Sequence, residues 1–140
     1  MDDTIFDFHK AEAFALEQTL SAFGVSARPD EYLEPFGEIN RTVWTEYENG
    51  RATQEEIRVR RFVVLLDHLG FAADVVSELA QGISDRYVEE LSRATFLVDG
   101  ALEFLDAVQA EVPVGVVSNG LSSVQRSRLQ KTGLEPRFDA

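Results

Sequence analysis

The feature that most constrains the fold of this chain is a short valine-rich segment, residues 112–117, which is apolar on both of its faces. A strand with two apolar faces is typical of a parallel sheet that is buried between helices. A short helical pattern precedes the segment, and the polar turn Ser118-Asn119-Gly120 and another helical pattern follow it. We therefore predict an α/β unit of helix, parallel strand and helix from about residue 95 onward.

The part of the chain before residue 95 has a different pattern, in which apolar residues recur every three or four positions. This spacing predicts four helices joined by short connections, and such an arrangement is typical of an antiparallel helical bundle. Thr53 and Glu56 are spaced as in a capping box, which predicts the start of the third helix. The six predicted helices cover residues 7–23, 29–48, 54–69, 73–91, 101–108 and 122–131.

Charge and composition exclude several classes of function. Thirteen basic and 25 acidic residues give a net charge of −12, which disfavours binding to nucleic acid. The absence of cysteine excludes a thiolate nucleophile and a cysteine-based zinc site. The first ten residues lack the pattern of a signal peptide, and no apolar run approaches the roughly 18 residues of a membrane helix. We expect a cytoplasmic protein that is not bound to a membrane.

The turn Ser118-Asn119-Gly120 is a candidate anion site, because ligands of doubly wound folds bind just past the carboxyl ends of the strands. Ser118 could donate its hydroxyl to a phosphate oxygen, and Asn119 its backbone N–H, beside the unpaired amides of a helix start. The alternative is an ordinary strand-to-helix turn in which Ser122 or Ser123 caps the helix.

Two acidic residues, Asp2 and Asp3, open the chain. Adjacent side chains of an extended segment point to opposite sides, so at most one of these carboxylates would face a site. The alternative is that both are solvated.

Taken together and in order, these motifs resemble haloacid-dehalogenase-type (HAD) hydrolases. Residues 1–5 resemble the second part of the D-x-D-x-T signature, and residues 114–120 resemble the second motif, a hydrophobic strand that ends in Ser or Thr. Residues 44–50, Arg61-Phe62 and Leu69-Gly70 resemble the helical cap that is inserted after the first motif. The run from Asn119 to Leu134 is similar to the noncanonical pyrimidine 5′-nucleotidase branch.

The resemblance implies a role for each matching residue. Asp2 would be the general acid/base of an aspartyl-phosphate mechanism, and its backbone carbonyl would face Mg²⁺. Thr4 would support the loop, and Ser118 and Asn119 would bind the substrate phosphate. Asp3 stands where the family often has Gly and receives no catalytic role. The implied substrate is a small phosphorylated metabolite, in particular a nucleoside monophosphate, and a dehalogenase is disfavoured because displacing halide needs no acid.

The resemblance also implies a domain organisation. Residues 1–8 would be a remnant of the first core motif, residues 9–94 a four-helix cap, and residues 95–140 a fragment of the Rossmann-like core. The nucleophilic aspartate would lie two residues before Asp2, and the third and fourth motifs would follow residue 140. We therefore expect a piece of such a hydrolase, truncated at both ends and inactive or nearly so.

A noncatalytic module that binds a partner through its helices is the alternative function. The predicted strand would lack its sheet neighbours, so we also expect self-association of the chain. A basic group, Arg58, Arg60 and Arg61, would either steer an anionic substrate or form a solvated face with a Glu56–Arg60 pair.

Overall fold

A computed structural model describes residues 1–138 of the chain, and it confirms the six predicted helices. Thr53 and Glu56 form the predicted capping box of the third helix, in which the Thr53 side chain accepts from the Glu56 N–H and the Glu56 side chain accepts from the Thr53 N–H. The helices are α1 (Phe8–Ala22), α2 (Pro29–Glu48), α3 (Gln54–His68), α4 (Ala73–Arg93), α5 (Ala101–Gln109) and α6 (Ser122–Lys131). A short 3-10 helix, Glu135–Arg137, follows α6.

The chain divides into two compact units, and the first comprises residues 16–87. An aromatic cluster of Phe36, Phe62 and Tyr87 joins α2, α3 and α4 in this unit, with ring centroids 5.2–5.5 Å apart. All three rings are fully buried. The apolar positions that predicted these helices therefore form the core of the unit, as expected for amphipathic helices.

The second unit comprises residues 1–15 together with the chain from residue 88 onward. Its core contains Phe6, Leu105 and Leu129, which brings the N-terminal segment, α5 and α6 together. Val124 and Leu129 of α6 point inward, as the sequence predicts, and Gly133 follows the helix with a φ of +69°, a conformation that favours glycine. This unit contains the predicted site residues.

The prediction of a parallel strand over residues 112–117 is wrong for this structure. Residues 1–138 contain no β-strand, only the isolated bridges of Asp2 with Phe6 and of Phe6 with Leu97. A buried parallel strand needs flanking strands to pair with its N–H and C=O groups, and the described residues supply none. The side chains are left in solvent accordingly, with Val117 97% exposed and Phe104 of α5 64% exposed. The Rossmann-like core that the resemblance implies is thus not seen in residues 1–138.

No helix in the described part of the chain is long and apolar enough to cross a membrane. The predicted core segment, residues 95–140, ends at two residues, 139 and 140, that lie outside the described range.

Candidate functional site

The N-terminal segment folds back on itself before α1 begins. The backbone carbonyl of Met1 accepts hydrogen bonds from the amides of Thr4, Ile5 and Phe6 at 2.9–3.3 Å. Asp3 makes the turn with a φ of +56°, the left-handed region that Gly favours and that Asp tolerates. This conformation is consistent with the glycine that the resemblance implies at this position.

The side chains of Asp2 and Asp3 leave this turn in different directions, as the sequence analysis expects. Asp3 Oδ1 accepts from the backbone N–H of Phe8 at 3.2 Å, at the start of α1. Asp2 instead contacts α6: its Oδ1 accepts from Arg128 Nη1 at 2.6 Å, and its Oδ2 accepts from Gln125 Nε2 at 2.9 Å. Asp2 is therefore the one of the two carboxylates that contacts α6, and both of its oxygens have partners there.

The Ser118 turn lies against the same helix. The backbone N–H of Gly120 donates to Ser118 Oγ at 3.2 Å, which closes the turn locally. Gln125 Nε2 also donates to Ser118 Oγ, at 3.4 Å. Asp2 and Ser118, which are predicted from opposite ends of the sequence, are thus bridged by the single amide nitrogen of Gln125.

Gln125 and Arg128 are site residues that the sequence analysis missed. Gln125 is 7% exposed, and Arg128 is completely buried. Arg128 Nε donates to the carbonyl of Ala94 at 3.0 Å, and its guanidinium carbon lies 4.3 Å from the centre of the Phe6 ring. Their signal in the sequence is their spacing: residues 125 and 128 lie one turn from the inward-facing Leu129 and Val124, on the same face of α6.

A cavity of about 430 Å³ opens beside the turn. Ser118, Gly120 and Gln125 line it on one side, and Ser122 and Arg126 extend the polar part of the lining. Met1 also lines the cavity, although Asp2 does not. The N-cap residue of α6 is Leu121, with no side-chain hydrogen bond to the helix start, so neither Ser122 nor Ser123 is the cap. The N-cap residue itself therefore offers no side-chain acceptor to the first amides of α6.

The other two predicted site residues occupy exposed positions nearby. Thr4 Oγ1 donates a long hydrogen bond of 3.5 Å to the backbone carbonyl of Asp2. Asn119 stands between Ser118 and Gly120 in the turn and is exposed. Asp2, Thr4, Ser118 and Asn119 thus all belong to the second compact unit.

The donor set of the described residues does not fit Mg²⁺. Residues 1–138 contain no group of three or more His, Cys, Asp or Glu residues that could hold a metal ion. Mg²⁺ takes six oxygen ligands in near-octahedral geometry, and the protein usually supplies one or two carboxylates beside waters and substrate phosphates. The backbone carbonyl of Asp2 supplies one such oxygen, whereas its carboxylate is engaged by Arg128 and Gln125.

The basic group of α3 belongs to the first unit, and its members have partners there. Arg58 pairs with Asp85 at 3.5 Å, and Arg60 pairs with Glu46 of α2 rather than with the expected Glu56. Arg61 Nη1 donates to Asn40 Oδ1 at 3.0 Å. The side chain of Arg61 is 4% exposed, so it is a core residue and not part of a solvated or steering face.

Three curated proteins are similar to this chain over 99% of its length. The HAD-hydrolase YfnB of Bacillus subtilis is 33% identical over 138 residues. The pyrimidine 5′-nucleotidase YjjG of Escherichia coli is 23% identical, and the pyrimidine 5′-nucleotidase PynA of Streptococcus pneumoniae is 31% identical. No family model matches the chain.

The structure is also similar to a crystal structure of the Bacillus subtilis YfnB protein, described as bound to magnesium. The TM-score is 0.88 at 32% identity, over 99% of this chain and 60% of the crystallised one. The chain spans 56–57% of the length of the three curated relatives. These relatives confirm the resemblance that the sequence motifs predict, both to HAD-type hydrolases and to pyrimidine 5′-nucleotidases.

Proposed function

We propose that this chain, which is homologous to HAD-type hydrolases over 99% of its length, contains the acid/base and phosphate-binding part of a phosphomonoesterase site. The observation that supports this most directly is the bridge through Gln125, which contacts the Asp2 carboxylate and the Ser118 hydroxyl. A phosphatase of this type needs a hydroxyl on the phosphate and a carboxyl group at the leaving oxygen, within one site.

The roles follow from the positions of these groups. Ser118 Oγ and the backbone N–H of Asn119 would bind phosphate oxygens beside the N-terminus of α6, where the helix dipole favours negative charge. Asp2 would protonate the leaving alkoxide and later take a proton from the attacking water. Both oxygens of Asp2 already accept hydrogen bonds, so this chemistry requires one oxygen to exchange its partner for substrate.

The proposed substrate is a nucleoside monophosphate, because two of the similar proteins are named as pyrimidine 5′-nucleotidases. In the proposed organisation, residues 9–94 are the cap, and residues 95–140 belong to the catalytic core. Thr4 supports the motif through its contact with the carbonyl of Asp2.

The 140-residue polypeptide by itself is proposed to be inactive or nearly so. Covalent phosphoryl transfer requires a nucleophilic carboxylate next to the bound phosphate. Asp2 is the acidic side chain that the described contacts bring to Ser118, and it has the acid/base role. Mg²⁺ in this family supplies charge stabilisation of the phosphoryl group, and the described residues do not offer it a full set of ligands.

Two measurements on the purified 140-residue chain test this proposal. Titration with inorganic phosphate, followed by NMR, should shift the backbone amide signals of residues 118–120, and Ser118→Ala should weaken this binding. Asp30→Asn, a change in an exposed ion pair of the other unit, is a control that should have no effect. Failure of wild type to bind phosphate at residues 118–120 would contradict the binding role.

The inactivity of the chain is tested separately with a nucleoside monophosphate and Mg²⁺. We expect no hydrolysis above the level of the Asp2→Asn variant. Mg²⁺-dependent hydrolysis that is abolished by Asp2→Asn would refute the inactivity and would at the same time support the role of Asp2.

A second candidate function is self-association through the valine segment, residues 112–117, with a second copy of the chain as the partner. The exposure of Val112 and Val117 favours it, and so does an apolar cavity of about 220 Å³ lined by Phe104, Val114 and Val116. Exposed apolar surface and unpaired backbone groups together favour pairing with another chain. Sedimentation velocity decides the matter, since a monomer at high protein concentration would exclude it.

A further inference from the structure

We propose that Gln125 is a positioning residue that directs the hydroxyl proton of Ser118 into the cavity beside the turn. This inference deepens the proposed function and rests on it, since it explains how a serine at this position becomes a hydrogen-bond donor to an anion. Neither the sequence motifs nor the names of the similar proteins assign a role to Gln125.

The hydroxyl of Ser118 has a limited capacity for hydrogen bonds. A serine hydroxyl has one proton to donate and two lone pairs that accept. Ser118 Oγ accepts from the backbone N–H of Gly120 at 3.2 Å and from Gln125 Nε2 at 3.4 Å. Both lone pairs are therefore used, and the proton must point away from these two donors. Ser118 and Gln125 both line the cavity of about 430 Å³, so this is where a ligand oxygen would meet the proton.

The orientation of the Gln125 amide is itself fixed by its neighbours. One proton of Nε2 goes to Asp2 Oδ2 at 2.9 Å, and the other is directed to Ser118. Reversing the amide would place Oε1 against the Asp2 carboxylate, so that two acceptors would face each other. Arg128 fixes the position of that carboxylate from the other side, through the 2.6 Å contact to Oδ1. Gln125 Oε1 is buried without a hydrogen-bond partner, so the two contacts of Nε2, and not those of Oε1, hold the amide in this orientation.

Gly120 provides an independent observation on the same amide. A Cβ atom built on Gly120 would lie 2.6 Å from Gln125 Nε2, so the flexible end of the glutamine would have to shift. The φ of Gly120 is not positive, so the reason for a glycine here is space and not backbone conformation. Gly120→Ala should therefore displace the Gln125 amide from Ser118 and Asp2 without changing Gln125 itself.

The first test measures the χ1 rotamer of Ser118, which sets the position of Oγ from which the hydroxyl proton is directed, without any ligand. Three-bond Hα–Hβ couplings of Ser118 should report one side-chain rotamer in wild type and averaging over rotamers in Gln125→Met, Gln125→Glu and Gly120→Ala. Gln125→Glu keeps the shape of the side chain and replaces the donor by an acceptor, so it serves if the methionine variant does not fold. Gln130→Met changes an exposed glutamine of the same helix and should leave the Ser118 couplings unchanged. A Ser118 rotamer that is independent of all three variants would overturn the proposal.

The second test measures the affinity for inorganic phosphate in a double-mutant cycle. Loss of one hydrogen bond that orients the donor should weaken phosphate binding about fivefold in Gln125→Met. The same substitution in a Ser118→Ala background should change the affinity less than about twofold, because the group it orients is gone. An equal effect in both backgrounds would show a general structural role and would overturn the proposal.

The two tests separate the failure of this inference from the failure of the proposed function. If phosphate does not bind wild type but the Ser118 rotamer depends on Gln125, the phosphate site is refuted and the positioning role stands. If phosphate binds equally well to wild type and to the Gln125 variants, the positioning role is refuted and the phosphate site stands.

Discussion

The carboxylate of Asp2 and the guanidinium of Arg128, 126 positions apart in the chain, form an ion pair of 2.6 Å. The Arg128 side chain is 1% exposed, whereas that of Asp2 is 31% exposed. Arg128 also donates to the carbonyl of Ala94 and lies over the ring of Phe6. One buried side chain of α6 thus holds the N-terminal segment and the chain after α4 against the helix that carries Gln125.

Because Arg128 is much more buried than Asp2, we expect the free energy of unfolding to fall when Asp2 alone is replaced and to recover in part when both residues are replaced. Asp2→Asn leaves a buried guanidinium without a counter-charge and should lower the free energy of unfolding by about 2 kcal/mol, less than the 3–5 kcal/mol of fully buried pairs. Adding Arg128→Met to Asp2→Asn should recover part of this loss, because it removes the unpaired charge. Urea denaturation of the two single variants and the double variant measures the coupling.

Asp30→Asn is the matched control for that cycle, because Asp30 pairs with Arg28 on the surface, where both side chains are at least 70% exposed. Its effect should stay within about 0.5 kcal/mol. Strictly additive effects of Asp2→Asn and Arg128→Met would contradict an energetic link between the two residues.

The capping box of α3 predicts a dependence of stability on pH. Hydrogen bonds from the backbone N–H and the hydroxyl of Thr53 lower the pKa of Glu56 below its ordinary value of 4.5. A group whose pKa is lowered by folding stabilises the protein above its unfolded pKa, and the contribution is lost as the pH falls through the folded pKa. Wild type should therefore be more stable than Glu56→Gln at pH 7, and the difference should shrink below about pH 4.5.

Thermal unfolding of both proteins between about pH 3 and pH 7 measures this difference in stability. This range roughly brackets the ordinary pKa of a carboxyl group. Glu55→Gln is the control, since Glu55 lies in the same first turn but outside the capping box. A stability difference that grows toward low pH would be inconsistent with the direction of the pKa shift.

Because Arg61 is buried, we expect the stability of the chain to depend on whether arginine or lysine occupies this position. Its guanidinium carbon lies 4.7 Å from the centre of the Tyr87 ring and 5.4 Å from that of Phe62. A lysine cannot stack its charge on these rings in the same way or reach Asn40 with a planar donor. Arg61→Lys should destabilise the chain by about 2 kcal/mol. Arg58→Lys, at a half-buried surface ion pair with Asp85, should change stability by less than about 0.5 kcal/mol. Equal effects in urea denaturation would exclude a special role of the aromatic cluster.

The exposed valine segment predicts concentration-dependent association. Val117→Lys should reduce the fraction of oligomer, because it places a charge on a 97% exposed apolar position of the unpaired segment. Val64→Lys introduces the same charge at a 42% exposed valine of α3 and should leave association unchanged. Sedimentation velocity over a range of concentrations compares the three proteins, and equal reduction by both variants would indicate an effect of net charge alone.

The sequence predicts the helices well because their signals are local. The periodic apolar positions, the Thr53–Glu56 capping box and the glycines after the helices act over a few residues, so α2 and α6 have the predicted bounds. The valine segment shows the opposite case. Its apolar composition indicates a strand, but a strand exists only when another strand pairs with it, and residues 1–138 do not supply one.

The candidate site likewise contains residues that the sequence predicts and residues that only the tertiary structure reveals. The sequence alone predicts Asp2 and Ser118 as site residues, because their chemistry and their places in the motifs are visible in the residue types. Only the tertiary structure reveals that Gln125 bridges them and that Arg128 lies buried beneath Asp2. A glutamine and an arginine on a helix give no local sign of a partner more than 120 positions away. Such contacts are decided by the packing of α6 against the N-terminal segment, which is a property of the folded chain.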